Sequence, residues 1–280
     1  MLSYRLLNDA DFSSLYECFL EAFSDYQVNM QISEQGFAQR LMRDGVKLDI
    51  SVGAFDDNRI IGFYINALGD WQGKQTAYDE GTGVIPHYRK RGVAQDSFAF
   101  MVSKLKERAV SQYLLEVLST NERAVALYRK LGFVEVRRFA VFRSQQALEP
   151  LRDLPEVELR RIEEPDWNLF QSFWDGYPSW QNSIAAVERI PKHTTSIGAY
   201  VDGACVGYGV VFKPVANLMQ LAVAPAYRRN GIGSRILRAL SDVETLKVNN
   251  IDEELKGTLA FYEANGFEMV LEQFEMSKIL

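Results

Sequence analysis

Apolar residues fall at Phe12, Leu15, Phe19 and Leu20, the spacing of one helix face, directly after a short alternating stretch at 4–7 that reads as a strand. Two apolar runs, "ISVGAF" and "IIGFYINAL", flank the turn Asp56-Asp57-Asn58 and predict paired strands. A further strand at 77–85 runs into a basic loop. Beyond the loop, Val93, Phe98, Met101, Val102 and Leu105 form a helical stripe. "YLLEVL" (113–118) reads as a strand and "NERAVALYRKLG" as a short helix stopped at Gly132. "FVEVRRFAVF" reads as a closing strand or hairpin.

The same order of elements then returns. "YRLLNDADFSSLYECF" is answered by "LRRIEEPDWNLFQSFW", and "SVGAF" by "SIGAY". The offset contracts from 155 at Arg5 and Arg160, through 145 at Gly62 and Gly207, to 134 at Tyr128 and Tyr262. Kept order with a shrinking offset is what loop deletions in a second copy produce, so the chain reads as two domains of one fold. Prolines and charges at 144–158 interrupt the apolar pattern, which places the seam near residue 150 and the domains at 1–150 and 151–280. Strands alternating with helices around an antiparallel start predict a mixed α/β (α+β) sheet in each half.

The chain has 280 residues, 47% hydrophobic and 24% charged, the composition of an ordinary globular protein. Its net charge of −6 does not invite nucleic acid or anionic membrane, so basic clusters must be read locally. Cys18 and Cys205 fit neither a disulfide framework nor a metal motif, which points to a reduced, cytoplasmic setting. The first residues show no secretion signal, and no apolar run reaches membrane-spanning length. His87 and His193 lack metal-ligand spacing and read as surface histidines, so no metal is expected.

The basic loops carry the chemistry. Arg89, Lys90 and Arg91 precede a helix start, where cations have the wrong sign for the helix dipole; Arg228 and Arg229 repeat the arrangement. An anion seated on free helix-terminal amides would turn the fault into complementarity, with Gly92 allowing close backbone approach. A solvated surface loop is the plainer reading. Two copies, each after a Val-x-Pro strand end (Val84-Ile85-Pro86 and Val223-Ala224-Pro225), weigh against it. Neither loop is a P-loop or a dinucleotide fingerprint.

Arg89-Lys90-Arg91-Gly92-Val93-Ala94 and Arg228-Arg229-Asn230-Gly231-Ile232-Gly233 resemble the acyl-CoA signature of the GCN5-related N-acetyltransferases (GNAT). Asn121, Ala124, Leu127, Tyr128, Gly132 and Phe133 match the same family's downstream pattern. The resemblance implies two tandem domains, each with a mostly antiparallel twisted sheet and a splayed parallel strand pair. It implies acetyl-CoA as cofactor, held by Val84, Ile85, the loop residues and Asn121 in the first half, and by Val223 and its loop in the second.

In this family the amine attacks directly, with Tyr128, and Tyr262 in the second copy, in the position of the general acid. Tyr128 also reads as packing, and Asn121 as a helix cap. Asp79, Glu80 and Glu116 are candidates for the base. Strand alternation sets Glu80 with Thr82 and Val84, and Asp79 with Gly81 and Gly83, so only one of the two should face the cleft. Leu255 stands where Asn121 would be in the second half, with Asn249 or Asn250 as substitutes, and "NLMQLA" offers no carboxylate. The first half is therefore expected to be the principal catalyst, while the second retains CoA binding. Phe23, Asp25 and Tyr26 are expected to touch the acceptor, a small-molecule primary amine; "WDGYPSWQNS" is the second half's counterpart. The oligomeric expectation is a monomer with an internal pseudo-dimer, or a homodimer. Alternatives are a tandem acyltransferase for an aminoglycoside or thiol precursor, and an acyl-CoA sensor or scaffold with little turnover.

Overall fold

The computed structural model describes residues 2–144, 154–241 and 245–280. The expected seam near 150 lies outside the described residues. In chain order the elements are β1 (Leu2–Leu6), α1 (Phe12–Ala22), α2 (Glu34–Asp44), β2 (Val52–Asp56), β3 (Arg59–Trp71), β4 (Lys74–Val84), α3 (Val93–Glu107), β5 (Gln112–Leu118), α4 (Glu122–Lys130) and β6 (Val134–Ser144). The second series is β7 (Glu158–Arg161), α5 (Trp167–Gln171), α6 (Ile184–Arg189), β8 (Thr194–Val201), β9 (Ala204–Phe212), β10 (Asn217–Val223), α7 (Ile232–Ala239), β11 (Lys247–Asp252), α8 (Lys256–Ala264) and β12 (Phe267–Ile279).

Two compact units result, and they interleave along the chain. Unit 1 comprises Met1–Val117, Asn121–Val136 and Glu275–Leu280; unit 2 comprises Leu118–Thr120 and Arg137–Phe274. In unit 1 the strands run β1-β2-β3-β4-β5 and then the end of β12. The neighbours from β1 to β4 are antiparallel, and β4 pairs with β5 in parallel. Unit 2 runs β7-β8-β9-β10-β11-β6, with β10 and β11 its parallel pair.

Turn chemistry explains the hairpins. Asp57 (φ 49°) joins β2 to β3, and Asp202 (φ 50°) with Gly203 (φ 80°) joins β8 to β9. Left-handed φ at such positions suits Asp and Gly. Helix α2 starts at Ser33, whose hydroxyl accepts from Gly36 N, and stops at Gly45 in the left-handed region. The apolar faces read from the sequence become the core: Leu15, Phe19, Phe37, Ile61, Phe63 and Val93 pack together in unit 1. In unit 2, Phe142, Leu218, Ile236, Leu237 and Tyr262 do the same.

Each parallel pair separates at the same relative point. The β4–β5 register runs from Thr76 opposite Gln112 to Asp79 opposite Leu115, and both strands then continue unpaired with each other. The β10–β11 register ends at Leu218 opposite Val248. A bulge accompanies each separation. In β4, Glu80 is the extra residue between the pairs Asp79–Asn66 and Gly81–Ile65. In β10, Met219 is extra between Leu218–Val211 and Gln220–Val210. A bulge re-aims side chains and ends regular pairing, so each unit has a V-shaped opening in its sheet just before its basic loop.

Candidate active site

Asp79 and Glu80 sit at the apex of the unit 1 opening, and the bulge changes which neighbours they meet. The Thr82 hydroxyl donates to Asp79 Oδ2 at 2.6 Å and the Tyr128 hydroxyl to the same oxygen at 3.5 Å. Asp79 thus shares a side with Thr82, three residues on, where simple alternation had paired it with Gly81 and Gly83. Glu80 instead accepts from the Arg40 guanidinium of α2, which also donates to the Glu80 carbonyl at 3.1 Å. Both carboxyls are buried, and the extra residue lets each find its own partners. Glu116, half-buried on β5, lies one residue beyond the end of the ladder.

Burial dominates the electrostatics. Asp79 is pushed up to about 7 by desolvation, against lowering hydrogen bonds from Thr82, Gly81 and Tyr128. Glu80 moves in the same direction because burial outweighs the attraction of Arg40. Tyr128 is held well above its ordinary range, first by burial and then by the Asp79 charge, and so keeps its proton. Beneath this pair the Tyr113 hydroxyl donates to Asn66 Oδ1 at 2.6 Å, and Tyr64 donates to Ala94 O at the start of α3 at 3.1 Å. The sequence named Thr82 only as a strand neighbour of Glu80 and gave no role to Arg40, Tyr64 or Tyr113. Tyrosines inside otherwise apolar strands were the available signal, since a buried hydroxyl needs a partner.

The two basic loops have one geometry. Lys90 (φ 63°) and Gly92 (φ 83°) are both left-handed, as are Arg229 (φ 64°) and Gly231 (φ 81°). Gly92 and Gly231 are the N-caps of α3 and α7, and neither provides a side-chain cap. The helix-start amides are thus left to a ligand, in a concave nest that suits an anion. Lys90, Arg91, Arg229 and Asn230 are exposed around it. The CoA diphosphate implied by the motif fits this donor set through amides and exposed cations.

Arg89, expected at the cofactor, also has partners within the protein. Its Nε donates to Val84 O at 3.0 Å, and its terminal nitrogens donate to Ala22 O at 2.9 Å and to both Asp25 oxygens at 2.6 and 2.8 Å. Arg228 repeats the pattern with Val223 O, Phe173 O and Asp175. Each guanidinium ties the loop to the strand end and to the segment after α1 or α5. Arg89 and Arg228 are therefore loop anchors, and the carbonyls of Val84 and Val223 are engaged within the protein. Asp25, expected at the acceptor, is held by Arg89, whose hydrogen bond draws its carboxyl below the usual range. Ile85 N donates to Ile61 O at 3.0 Å. A Cβ on Gly233 would meet the Phe261 ring at 3.1 Å, so that glycine serves helix packing.

Asn121 caps α4, its Oδ1 accepting from Ala124 N at 3.2 Å, and it also hydrogen-bonds the Tyr26 hydroxyl. Tyr26 packs edge-on against Phe23 with centroids 5.2 Å apart. Phe23, Tyr26 and Asn121 thus meet in unit 1.

Unit 2 keeps the frame and drops the acids. Leu218 and Met219 occupy the places of Asp79 and Glu80. Tyr262 is buried among Phe142, Phe261 and Phe267, and desolvation alone raises it. A cavity of about 600 Å³ runs from the loop at Arg229–Gly233 past Tyr262 and Leu255 to Tyr208 and Gln220. Asn250 lines it, and Asn249 accepts at its backbone carbonyl from Asn182 Nδ2 at 2.8 Å. Among the described residues no group of three or more His, Cys, Asp or Glu is placed to hold a metal, and no helix is long and apolar enough to cross a membrane.

Two family models match the chain: the acetyltransferase (GNAT) family over residues 12–133 and an acetyltransferase (GNAT) domain over 192–269. The chain is 29% identical over 85 residues to N-alpha-acetyltransferase MAK3 of Arabidopsis thaliana, covering 30% of this chain and 45% of that protein. It is 32% identical over 83 residues to the [ribosomal protein bS18]-alanine N-acetyltransferase of Escherichia coli K12, covering 26% and 56%. The chain thus spans about half the length of these curated relatives. A tandem GNAT protein from the clavulanic acid biosynthesis pathway shares the fold at a TM-score of 0.75 and 16% identity, covering 100% of this chain and 98% of that one. A GCN5-related N-acetyltransferase from Sphaerobacter thermophilus shares it at 0.75 and 13%, covering 99% and 95%.

Proposed function

This chain belongs to the acetyltransferase (GNAT) family, and we propose that unit 1 moves the acetyl group of acetyl-CoA to a primary amine of a small molecule. The observation that carries the reading is the contact between Tyr128 Oη and Asp79 Oδ2 at the apex of the split strands. Acetyl-CoA supplies the thioester; the chain supplies orientation and proton handling. The amides of Lys90–Ala94, with Lys90 and Arg91, hold the diphosphate, and Arg89 holds the loop. Asp79, with a pKa near working pH, takes an N–H proton from the neutral attacking amine as the N–C bond forms. Tyr128 donates its proton to the departing sulfur as the C–S bond breaks. Asp79 then returns a proton to the Tyr128 oxygen, which restores the starting state.

The contact of Tyr26 with Asn121, with Phe23 packed on the Tyr26 ring, supports a small acceptor. The activities of the two curated relatives favour a second reading, an α-amine of a polypeptide. Unit 2 binds CoA through its own loop and contributes little turnover, having no carboxylate beside Tyr262.

Tyr128→Phe and Tyr262→Phe, assayed by thiol release from acetyl-CoA, test the assignment. Tyr128→Phe should lower kcat by about 100-fold, the low end for loss of a general acid, and Tyr262→Phe should leave it nearly unchanged. A larger loss from Tyr262→Phe transfers the chemistry to unit 2. Turnover with short peptides but not with polyamines or amino sugars replaces the small-molecule acceptor. CoA binding with no turnover on either panel leaves a sensor.

A further inference from the structure

At its inner end the unit 2 cavity is lined by the rings of Trp174, Tyr177 and Tyr208 and the amides of Gln220, Asn182 and Asn250. The hydrogen bonds there have a direction. Trp174 Nε1 donates to Tyr208 Oη at 2.6 Å, and Tyr208 donates to Gln220 Oε1 at 2.8 Å. Gln220 Nε2 donates to the Asn182 backbone carbonyl at 2.7 Å, and Asn182 Nδ2 donates to Asn249 O. The series ends on an open acceptor: Asn182 Oδ1 is buried without a partner, in a residue only 3% exposed. A buried carbonyl left unpaired costs about 1–3 kcal/mol, so the site is built for a ligand O–H or N–H.

Away from the loop cation Arg229, charge on the lining is balanced. The two carboxylates on the lining, Asp175 and Asp252, face Arg228 at 2.7 Å and Arg137 at 4.0 Å. A cationic amine would find no free counter-charge there, and an anion would meet the open carbonyl of Asn182. The aromatic walls call for something with an apolar face. Tyr177 is 65% exposed and edge-on to Trp174 at 6.4 Å, an incompletely covered ring surface. Aromatic faces for C–H surfaces, with amides that donate and accept, match a ring bearing hydroxyl groups.

We propose that this inner end binds an uncharged, hydroxyl-bearing ring of the sugar class, by stacking on Tyr177 and Trp174 and by hydroxyl donation to Asn182 Oδ1. The inference stands on the cavity's own residues and does not depend on transfer in unit 1. It is tested on the full chain by saturation-transfer NMR and by Trp fluorescence, with glucose and N-acetylglucosamine as neutral probes and spermidine as a cationic one. Either sugar should give a saturable signal, weakened at least five-fold by Tyr177→Ala, an exposed position that leaves folding intact. Asn182→Asp, which keeps an acceptor, should retain more binding than Asn182→Ala. Sugar binding by Tyr128→Phe, the variant expected to lose thiol release, should match the parent, which separates this site from the chemistry at Tyr128. Failure of both sugars to saturate, equal binding by the Tyr177 variant, or preference for spermidine would each overturn the proposal.

Discussion

The Asp79 carboxyl is enclosed beside the Tyr128 hydroxyl, and enclosure favours its neutral form. Its folded pKa of about 7 lies above the ordinary carboxylate value, so the folded state binds the proton more tightly than the unfolded chain does. The stability this gives is complete at pH below the unfolded pKa of about 4 and is lost as pH rises through about 7. Asp79→Asn keeps the shape without the titration. The Tm of the parent minus that of the Asn variant should therefore fall between pH 4 and pH 7 and level off above; a flat difference across that range contradicts the buried neutral carboxyl. Arg89 makes a second residue-scale prediction. A lysine cannot serve Val84 O, Ala22 O and both Asp25 oxygens from one point charge. Arg89→Lys should weaken CoA binding to unit 1 by about ten-fold, or 1.4 kcal/mol. Asp25→Asn should follow it in calorimetry if the guanidinium works by positioning the loop; an unaffected Asp25 variant would instead indicate direct contact with the ligand.

Among the elements, β4 joins fold to site. Its bulge at Glu80 sends one carboxyl toward Arg40 of α2 and the other toward Tyr128 of α4. Just beyond, Gly83 lets α1 lie against the strand. A Cβ there would stand 2.6 Å from the Phe63 ring and 2.9 Å from Ala22 Cβ. Gly83→Ala should destabilise the protein by about 1–3 kcal/mol through overpacking, read as a lower urea midpoint with an unchanged slope. Most elements were legible because each follows a local rule: period, cap or turn residue; α2 (Glu34–Asp44) was not among those read. The repeated loop was legible for the same reason, since its glycine and its cations are neighbours in sequence. The bulge was not, because an extra residue exists only relative to a partner strand. Nor was the Arg89–Asp25 anchor, whose halves are separated by 64 positions. Gln220 in the apolar stretch "NLMQLA" was a visible sign that something polar waited nearby, though Tyr208 and Asn182 could not be named from it.

On the scale of the whole molecule, the two units exchange chain. Glu275–Leu280 belongs to unit 1, and the stretch from Arg137, with Phe139, Ala140 and Phe142 paired to β11, belongs to unit 2. Met276, within the returning segment, is fully buried. A cut at residue 150 therefore does not release a finished domain. A fragment of residues 1–150 should show reduced helical and strand signal by circular dichroism and rapid proteolysis, and removing 275–280 alone should lower the activity assigned to Tyr128. A protease-resistant, active 1–150 fragment would contradict the interleaving.

That interleaving sets an order of events during synthesis. Unit 1 has nearly all its residues by Val136, but the segment that completes its sheet is translated well over a hundred codons later. At roughly 5–20 residues per second the wait lasts on the order of ten seconds or more. Nascent chains stalled before Glu275 should accordingly leave β5 with an open edge, available to chaperones, and unit 1 should mature only after its sibling has been made.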